Sequence, residues 1–265
     1  TGAVSLSGLF EHKFAAAKSE ISTQMLLDAV CRGGWPEAVA LPVSDAQILI
    51  REYMRLTLTE SVPRQGKDPD VARRLLDSLA RNISQAVTFK TLRKDMYGTE
   101  ENLDDFISER TISGYTAMFE NMFVIDPIKG WVPPARDPKR LQTKARRYFA
   151  DPSIAAAMLG MSPAALIGDW QTFGFLFENL CIRDLLVYAR SLLDIGMEPV
   201  RYYHDDSGLE CDAIIELSDG RWGGIEIKSS EDKVPEAAAN LCRLKDKLLR
   251  NPSARTREPE FLAVL

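Results

Sequence analysis

The sequence predicts a mixed α/β (α+β) chain, with a helical N-terminal region followed by an α/β half built on a mixed central sheet. Three observations lead there. Apolar residues recur at helical spacing through the N-terminal half, β-branched clusters separated by turn residues occupy Val200 to Ile227, and Pro133-Pro134 breaks the pattern between them. The length of 265 residues and the 45% hydrophobic content suit one large domain or two ordinary ones, and exclude global disorder.

Taken in order, Thr23–Cys31 reads as a helix with Met25, Leu26, Ala29 and Val30 along one stripe, ended by Gly33-Gly34 as a connector or lid. Asp45–Leu58 reads as a second helix, capped by Ser44 or Asp45, striped by Ile48, Leu49, Tyr53 and Leu56, and closed by Pro63 and the polar run Arg64–Asp68. Asp70–Ala80 makes a third, with Val71, Leu75, Leu76 and Leu79 on one side. A short helix follows around Phe89–Met96, then a polar loop. Ser108 next caps a longer helix that buries Ile112, Tyr115, Phe119 and Met122, and Phe123–Asp126 and Trp131-Val132 read as strands turned at Pro127–Gly130. Two helices and a turned strand pair resemble a winged helix. DNA reading by its second helix would rest on Arg110, Thr111, Ser113 and Thr116, while Glu109 and Glu120 favour protein docking or an architectural role.

Past Pro133-Pro134, Arg146–Asp151 reads as a strand and Ile154–Leu159 as a small helix. Asp169–Leu193 is a long helix striped by Phe173, Phe177, Leu180, Leu185, Tyr188 and Leu192, with Glu178 inside it. Val200–His204, Ala213–Leu217 and Ile225–Ile227 read as strands, the last two forming a hairpin at Ser218-Asp219-Gly220. Pro235–Leu249 is a helix and Phe261–Leu265 starts another strand. The expected organisation is a connector over 1–35, a helical winged-helix-like domain over 36–134, and an α/β domain over 135–265 that is incomplete at its C-terminus.

The chemistry concentrates near the hairpin. Strand alternation places Glu226 and Lys228 on one face and Ile225 and Ile227 on the other, and pairing brings Asp212 beside them. Two carboxylates there could hold a hard cation, with the lysine near a metal-bound water. Taken singly, each of these residues reads as an ordinary surface group.

The net charge of −5 gives no general basic character, so any nucleic-acid contact must come from local residues. Arg93 and Arg110 are candidates in the winged-helix-like region, and Arg140, Lys144 and Arg147 in a basic run over Arg136–Arg147. A second run spans Arg243–Arg257; solvated faces account equally well for both. Cys31, Cys181, Cys211 and Cys242 form no C-x-x-C pair, which argues against a zinc ribbon or a disulfide framework and for a reducing cytoplasm. No apolar run approaches a membrane span, so no membrane partner is expected.

The order helix, three strands, helix, strand, with Glu178 on the first helix, Asp212 on one strand and Glu226-Ile227-Lys228 on the next, resembles the restriction-endonuclease-like PD-(D/E)xK nucleases over about 165–265. More narrowly the chain resembles the region that follows the nucleotide-binding module in a group of prokaryotic AAA-type ATPases. Gly33-Gly-Trp-Pro36, Arg110-Thr-Ile-Ser-Gly-Tyr115, Tyr148-Phe-Ala-Asp-Pro152 and Gly174-Phe-Leu-Phe-Glu-Asn179 extend that likeness over most of its length. The resemblance implies a restriction-endonuclease-like αβββαβ domain, with Asp212 and Glu226 as Mg2+ ligands and the Ile227 carbonyl as a third. It makes Lys228 the group that orients or activates water, has Glu178 support a second metal or its water, and makes DNA the substrate. No G-x-x-x-x-G-K-[ST] loop occurs, so ATP would bind only through a module preceding Thr1. Leu209-Glu210-Cys211 stands where many of these nucleases carry a proline, which is not a ligand. A silent nuclease-like fold that docks a protein partner or regulates the ATPase, and DNA binding without cleavage, remain alternatives.

Overall fold

The computed structural model describes residues 4–13, 20–98 and 107–265; most of the polar loop expected before Ser108 lies outside them. The chain folds as two interleaved units. A helical unit comprises 21–127 and 146–180, and a sheet unit comprises 1–20, 128–145 and 181–265. Pro133-Pro134, joined by a cis bond, lies within a stretch assigned to the sheet unit.

Helix α1 (Leu6–Phe10) belongs to the sheet unit, and α2 (Thr23–Arg32) opens the helical one. Helix α3 (Val43–Leu56) starts before the expected Ser44 or Asp45 cap, directly after Pro42, whose ring presets the entry backbone and whose side chain caps nothing. Pro63 does not close this helix either. The backbone widens into a π turn at Thr57–Ser61 and re-forms as α4 (Val62–Arg64), so Pro63 occupies a first-turn position where its missing N–H costs little. The run ends at Gly66, whose φ of +67° suits glycine. Helix α5 (Pro69–Arg81) is capped by Asp68, which accepts from the N–H of Asp70 at 2.7 Å and of Val71 at 3.1 Å.

Helix α6 (Phe89–Tyr97) follows a Thr88 cap, and α7 (Glu109–Asn121) follows Ser108, which accepts the Thr111 N–H at 3.1 Å as anticipated. Ile112, Tyr115 and Phe119 are buried as expected, joined by Met118, whereas Met122 is only half-buried. The expected turn back at Pro127–Gly130 does not form. Strand β1 (Ile125–Ile128) pairs instead with β2 (Arg146–Phe149). Trp131 is committed to the sheet unit, where its N–H donates to the Tyr202 carbonyl at 2.6 Å and its indole lies 5.0 Å from that of Trp222. Burying so large a side chain outweighs what a two-residue ribbon could return.

Asp151 caps α8 (Pro152–Met158), and the unanticipated α9 (Pro163–Ile167) starts at Ser162. Helix α10 (Trp170–Arg190) is the expected long helix. Its later buried positions are Ile182, Leu185, Leu186 and Ala189, while Tyr188 is 56% exposed, because the 3.6-residue period carries the buried stripe past it.

In the sheet unit, β3 (Arg201–His204), β4 (Glu210–Glu216), β5 (Trp222–Glu226) and β6 (Phe261–Val264) lie side by side in that order. The first three are antiparallel and β6 runs parallel to β5, which makes the sheet mixed as expected. Helix α11 (Val234–Arg250) is the crossover that a parallel pair requires. Its Leu241, Leu244 and Leu248 join Trp131, Tyr203, Ile214 and Trp222 in one apolar core. Gly223 is dictated by this packing, since a Cβ there would come within 2.2 Å of the Phe261 ring.

Asn179 on α10 is fully buried, donating its amide to the Phe149 carbonyl at 2.8 Å and accepting the Phe149 N–H at 3.0 Å. Asn179→Ala leaves both groups of β2 buried and unpaired. It should destabilise the fold by about 2–4 kcal/mol, read as a lowered denaturation midpoint.

Candidate active site

Asp212 owes its position to an irregularity in the strand pairing. Arg201 pairs with Ile214 and Tyr203 with Cys211, so Asp212 and Ala213 together oppose the single residue Tyr202. Such a bulge bends the strand and re-aims one side chain. The neighbouring ladder is regular, from Ala213 opposite Ile225 to Glu216 opposite Trp222, and its continuation sets Asp212 beside Glu226. The hairpin read from the sequence is therefore present, and Asp212 is the third residue of β4.

The two carboxylates are not the solvated groups that their residue types alone suggest: Asp212 is 7% exposed and Glu226 is 3%. One Asp212 oxygen accepts the Ile227 N–H at 2.9 Å and the Lys228 ammonium at 3.3 Å. Glu226 accepts the same ammonium at 2.5 Å. The backbone on either side is clamped by β6, with the Lys228 N–H donating to the Leu265 carbonyl at 2.8 Å and the Leu265 N–H to the Glu226 carbonyl at 2.8 Å.

Burial, and then the Asp212 charge, push the Glu226 carboxyl above the usual carboxylate range, and the pull of Lys228 does not cancel them. Burial works against the Lys228 charge too, but the two acids outweigh it and raise its affinity for a proton. Cys211 packs beneath with its thiol directed at the Ala213 and Ile225 carbonyls, both at 3.4 Å. Burial, reinforced by Glu226 and Asp212, raises that thiol far above its ordinary value and keeps it unreactive.

Among the described residues no group of three or more His, Cys, Asp or Glu side chains is arranged to hold a metal ion. The pair still has the donor chemistry that suits a hard divalent cation, two carboxylates side by side that share one ammonium. The fit is to Asp212 and Glu226, with the Ile227 carbonyl as the adjoining backbone donor.

Glu178 belongs to the helical unit, where it accepts the Tyr148 hydroxyl at 2.6 Å and lies 3.8 Å from the buried Arg146. Tyr148 and Arg146 are neighbours of Glu178 that single-residue reading missed, although Tyr148 opens one of the stretches on which the resemblance rests. Of the expected nucleic-acid contacts, Arg110 is exposed at the start of α7 and Lys144 is exposed, while Arg93 is half-buried in α6. Arg140 turns inward to the Val132 carbonyl at 2.5 Å and the Glu216 carboxylate at 3.1 Å. Arg147 stacks on Phe89 at 4.8 Å and faces Glu120 at 3.8 Å, and burial lowers its proton affinity. The basic run over Arg136–Arg147 is thus partly internal.

A family model described as a domain of unknown function, DUF8612, matches residues 23–165, just over half of the chain. A second, described as a domain of unknown function, DUF4143, matches residues 173–257 and covers the hairpin and α11. No curated protein and no solved structure matches the chain.

The folded-state value of Glu226 lies above its ordinary value of 4.5, so folding favours the protonated form. That contribution is complete below the unfolded value and is lost as pH rises through the folded one. The thermal midpoint of the wild type should therefore fall as pH climbs above the ordinary glutamate range, relative to Glu226→Gln. Carbon-13 NMR should show the Glu226 carboxyl titrating above that range, and moving down in Asp212→Asn.

Proposed function

This chain belongs to the family described as a domain of unknown function, DUF8612, and we propose that it carries a Mg2+-dependent centre that hydrolyses phosphodiester bonds in DNA. The observation that carries the reading is the burial of Asp212 and Glu226 together, with the Lys228 ammonium contacting both. Burying two like charges side by side is costly, and proteins tolerate such an arrangement chiefly where it works. The order α10, β3, β4, β5, α11, β6 supports a restriction-endonuclease-like PD-(D/E)xK domain. The β1–β2 pair following α6 and α7 supports a winged-helix-like unit. DUF4143 is typical of proteins associated with AAA-type ATPases, which supports the reading of this chain as the C-terminal part of such a protein. In that reading ATP binds a separate module.

Asp212, Glu226 and the Ile227 carbonyl would hold the ion. Bound there, Mg2+ supplies Lewis-acid stabilisation of a non-bridging phosphate oxygen and a more acidic water. The roles of the chain's own residues follow from their positions. Lys228 has the reach to orient the attacking water and to meet the charge that develops on the phosphate. The Ile227 N–H holds the Asp212 carboxylate in a fixed orientation beside Glu226 and Lys228. Glu178, proposed to support a second metal or its water, contacts Tyr148 and Arg146 within the helical unit.

A second reading, a silent nuclease-like fold that docks a protein partner or regulates the ATPase, is favoured by one observation. Lys228 already pairs with both acids, and Arg140 and Arg147 face Glu216 and Glu120. Purified chain incubated with Mg2+ or Mn2+ and mixed DNA substrates separates the two. Cleavage that falls by about a hundredfold or more in Asp212→Ala and in Lys228→Ala is the expected result. Equal background in wild type and both variants rejects the catalytic reading and leaves the docking one.

A further inference from the structure

We propose that the outward face of α11 and the loop between β3 and β4 form a groove that holds the phosphate backbone of a nucleic acid without reading its bases. The inference rests on the phosphodiester reading of Asp212, Glu226 and Lys228, and names how their substrate is held.

Two open cavities of about 520 and 250 Å3 share Arg243 and Lys247. Arg250 extends the first along the helix, and Ser207 to Leu209 line the second. Arg243, Lys247 and Arg250 recur at four- and three-residue steps, which stacks them on one helical face. Leu241, Leu244 and Leu248 are buried in the core on the other side, so this basic face is the one α11 turns to solvent. The chain as a whole carries a net charge of −5, which makes the groove a local feature rather than a share of a basic surface.

The groove is tied to the strand that bears Asp212. Lys247 donates to Asp205 at 2.6 Å and to Ser207 at 3.0 Å, fixing the loop that runs through Leu209 directly into β4. Burial works against the Asp205 charge, but bonds from Lys247, Ser207 and Tyr203 hold its carboxyl far below the usual range, so this anchor stays ionised. Arg243 donates to the Asn240 amide oxygen, and Arg250 is 83% exposed with its guanidinium 3.8 Å from Asp246, so both keep donors for a ligand.

The lining decides the kind of ligand. It offers three long cationic side chains against one carboxylate, Asp246, with the Asn251 amide, a serine hydroxyl and backbone, and no aromatic ring on which a base could stack. Cations of this kind contact phosphates and position a strand, whereas base identity is read by edge contacts that such a groove does not supply. The ligand is therefore the phosphodiester chain common to DNA and RNA.

Fluorescence anisotropy of the whole chain, without Mg2+, on labelled DNA and RNA oligonucleotides of unrelated sequence tests the groove. Expected is binding that ignores base order, weakens steeply with salt, and in Arg243→Gln/Arg250→Gln loses at least tenfold in affinity. The slope of log affinity against log salt should flatten by about 1.5, since each lost phosphate contact removes roughly 0.7–0.9. An unchanged thermal midpoint shows that the variant is folded. Loss of Mg2+-dependent cleavage activity alongside Arg243- and Arg250-dependent binding supports the groove and removes only the catalytic reading. Cleavage that persists with unchanged affinity and slope in the double variant overturns the groove alone. So does absence of wild-type binding, or discrimination among base sequences beyond about tenfold.

Discussion

Two carboxylates buried next to each other in one strand pair impose the condition around which the sheet unit is arranged. Neither can hydrate its charge, so each needs either a proton or a cation within reach. Lys228 supplies the cation, because one residue's separation from Glu226 along an extended strand keeps both side chains on the same face. The Ile227 N–H supplies a hydrogen bond to Asp212 from the main chain between them. With the ammonium shared between two acids, Glu226 still holds its proton more tightly than an ordinary glutamate. This shortage of positive charge beside two buried acids is where the functional proposal starts.

Much of this arrangement is legible in the residues themselves. Period-two alternation around Ser218-Asp219-Gly220 specifies a hairpin and puts Glu226 and Lys228 on one face, and β4 and β5 pair accordingly. Apolar spacing specifies α5 and, with the Ser108 cap, α7, where Ser108 bonds the amide that its position predicts; the Asp68 cap of α5 appears only in the structure. What escaped the sequence depends on partners distant along the chain. The bulge that opposes Asp212 and Ala213 to Tyr202 exists only relative to β3, so no pattern within β4 announces it. Glu178 looks like a helix-surface acid until Tyr148 and Arg146 from β2 are beside it.

Other departures follow from competition between local and long-range terms. Proline at position 63 is a helix breaker by local rules, and a π turn accommodates it at no loss of continuity. Trp131 carries the signature of a short strand in a ribbon, but an indole that can be buried against Trp222 and Tyr203 is drawn to that core. The basic run over Arg136–Arg147 illustrates a limit of charge patterning. Arginine has a long apolar stem and a fork of donors, so Arg140, Arg146 and Arg147 serve internal contacts as readily as solvent.

The clamp of Leu265 on either side of Ile227 has a consequence in time as well as space. Strand β6 is synthesised after the other strands of this sheet, and its parallel pairing with β5 spans the whole of α11. Until β6 and Leu265 leave the ribosome, the carbonyl of Glu226 and the amide of Lys228 lack these partners. A nascent chain that does not yet include Leu265 therefore carries the acids and the lysine without the main-chain bonds that hold the strand between them.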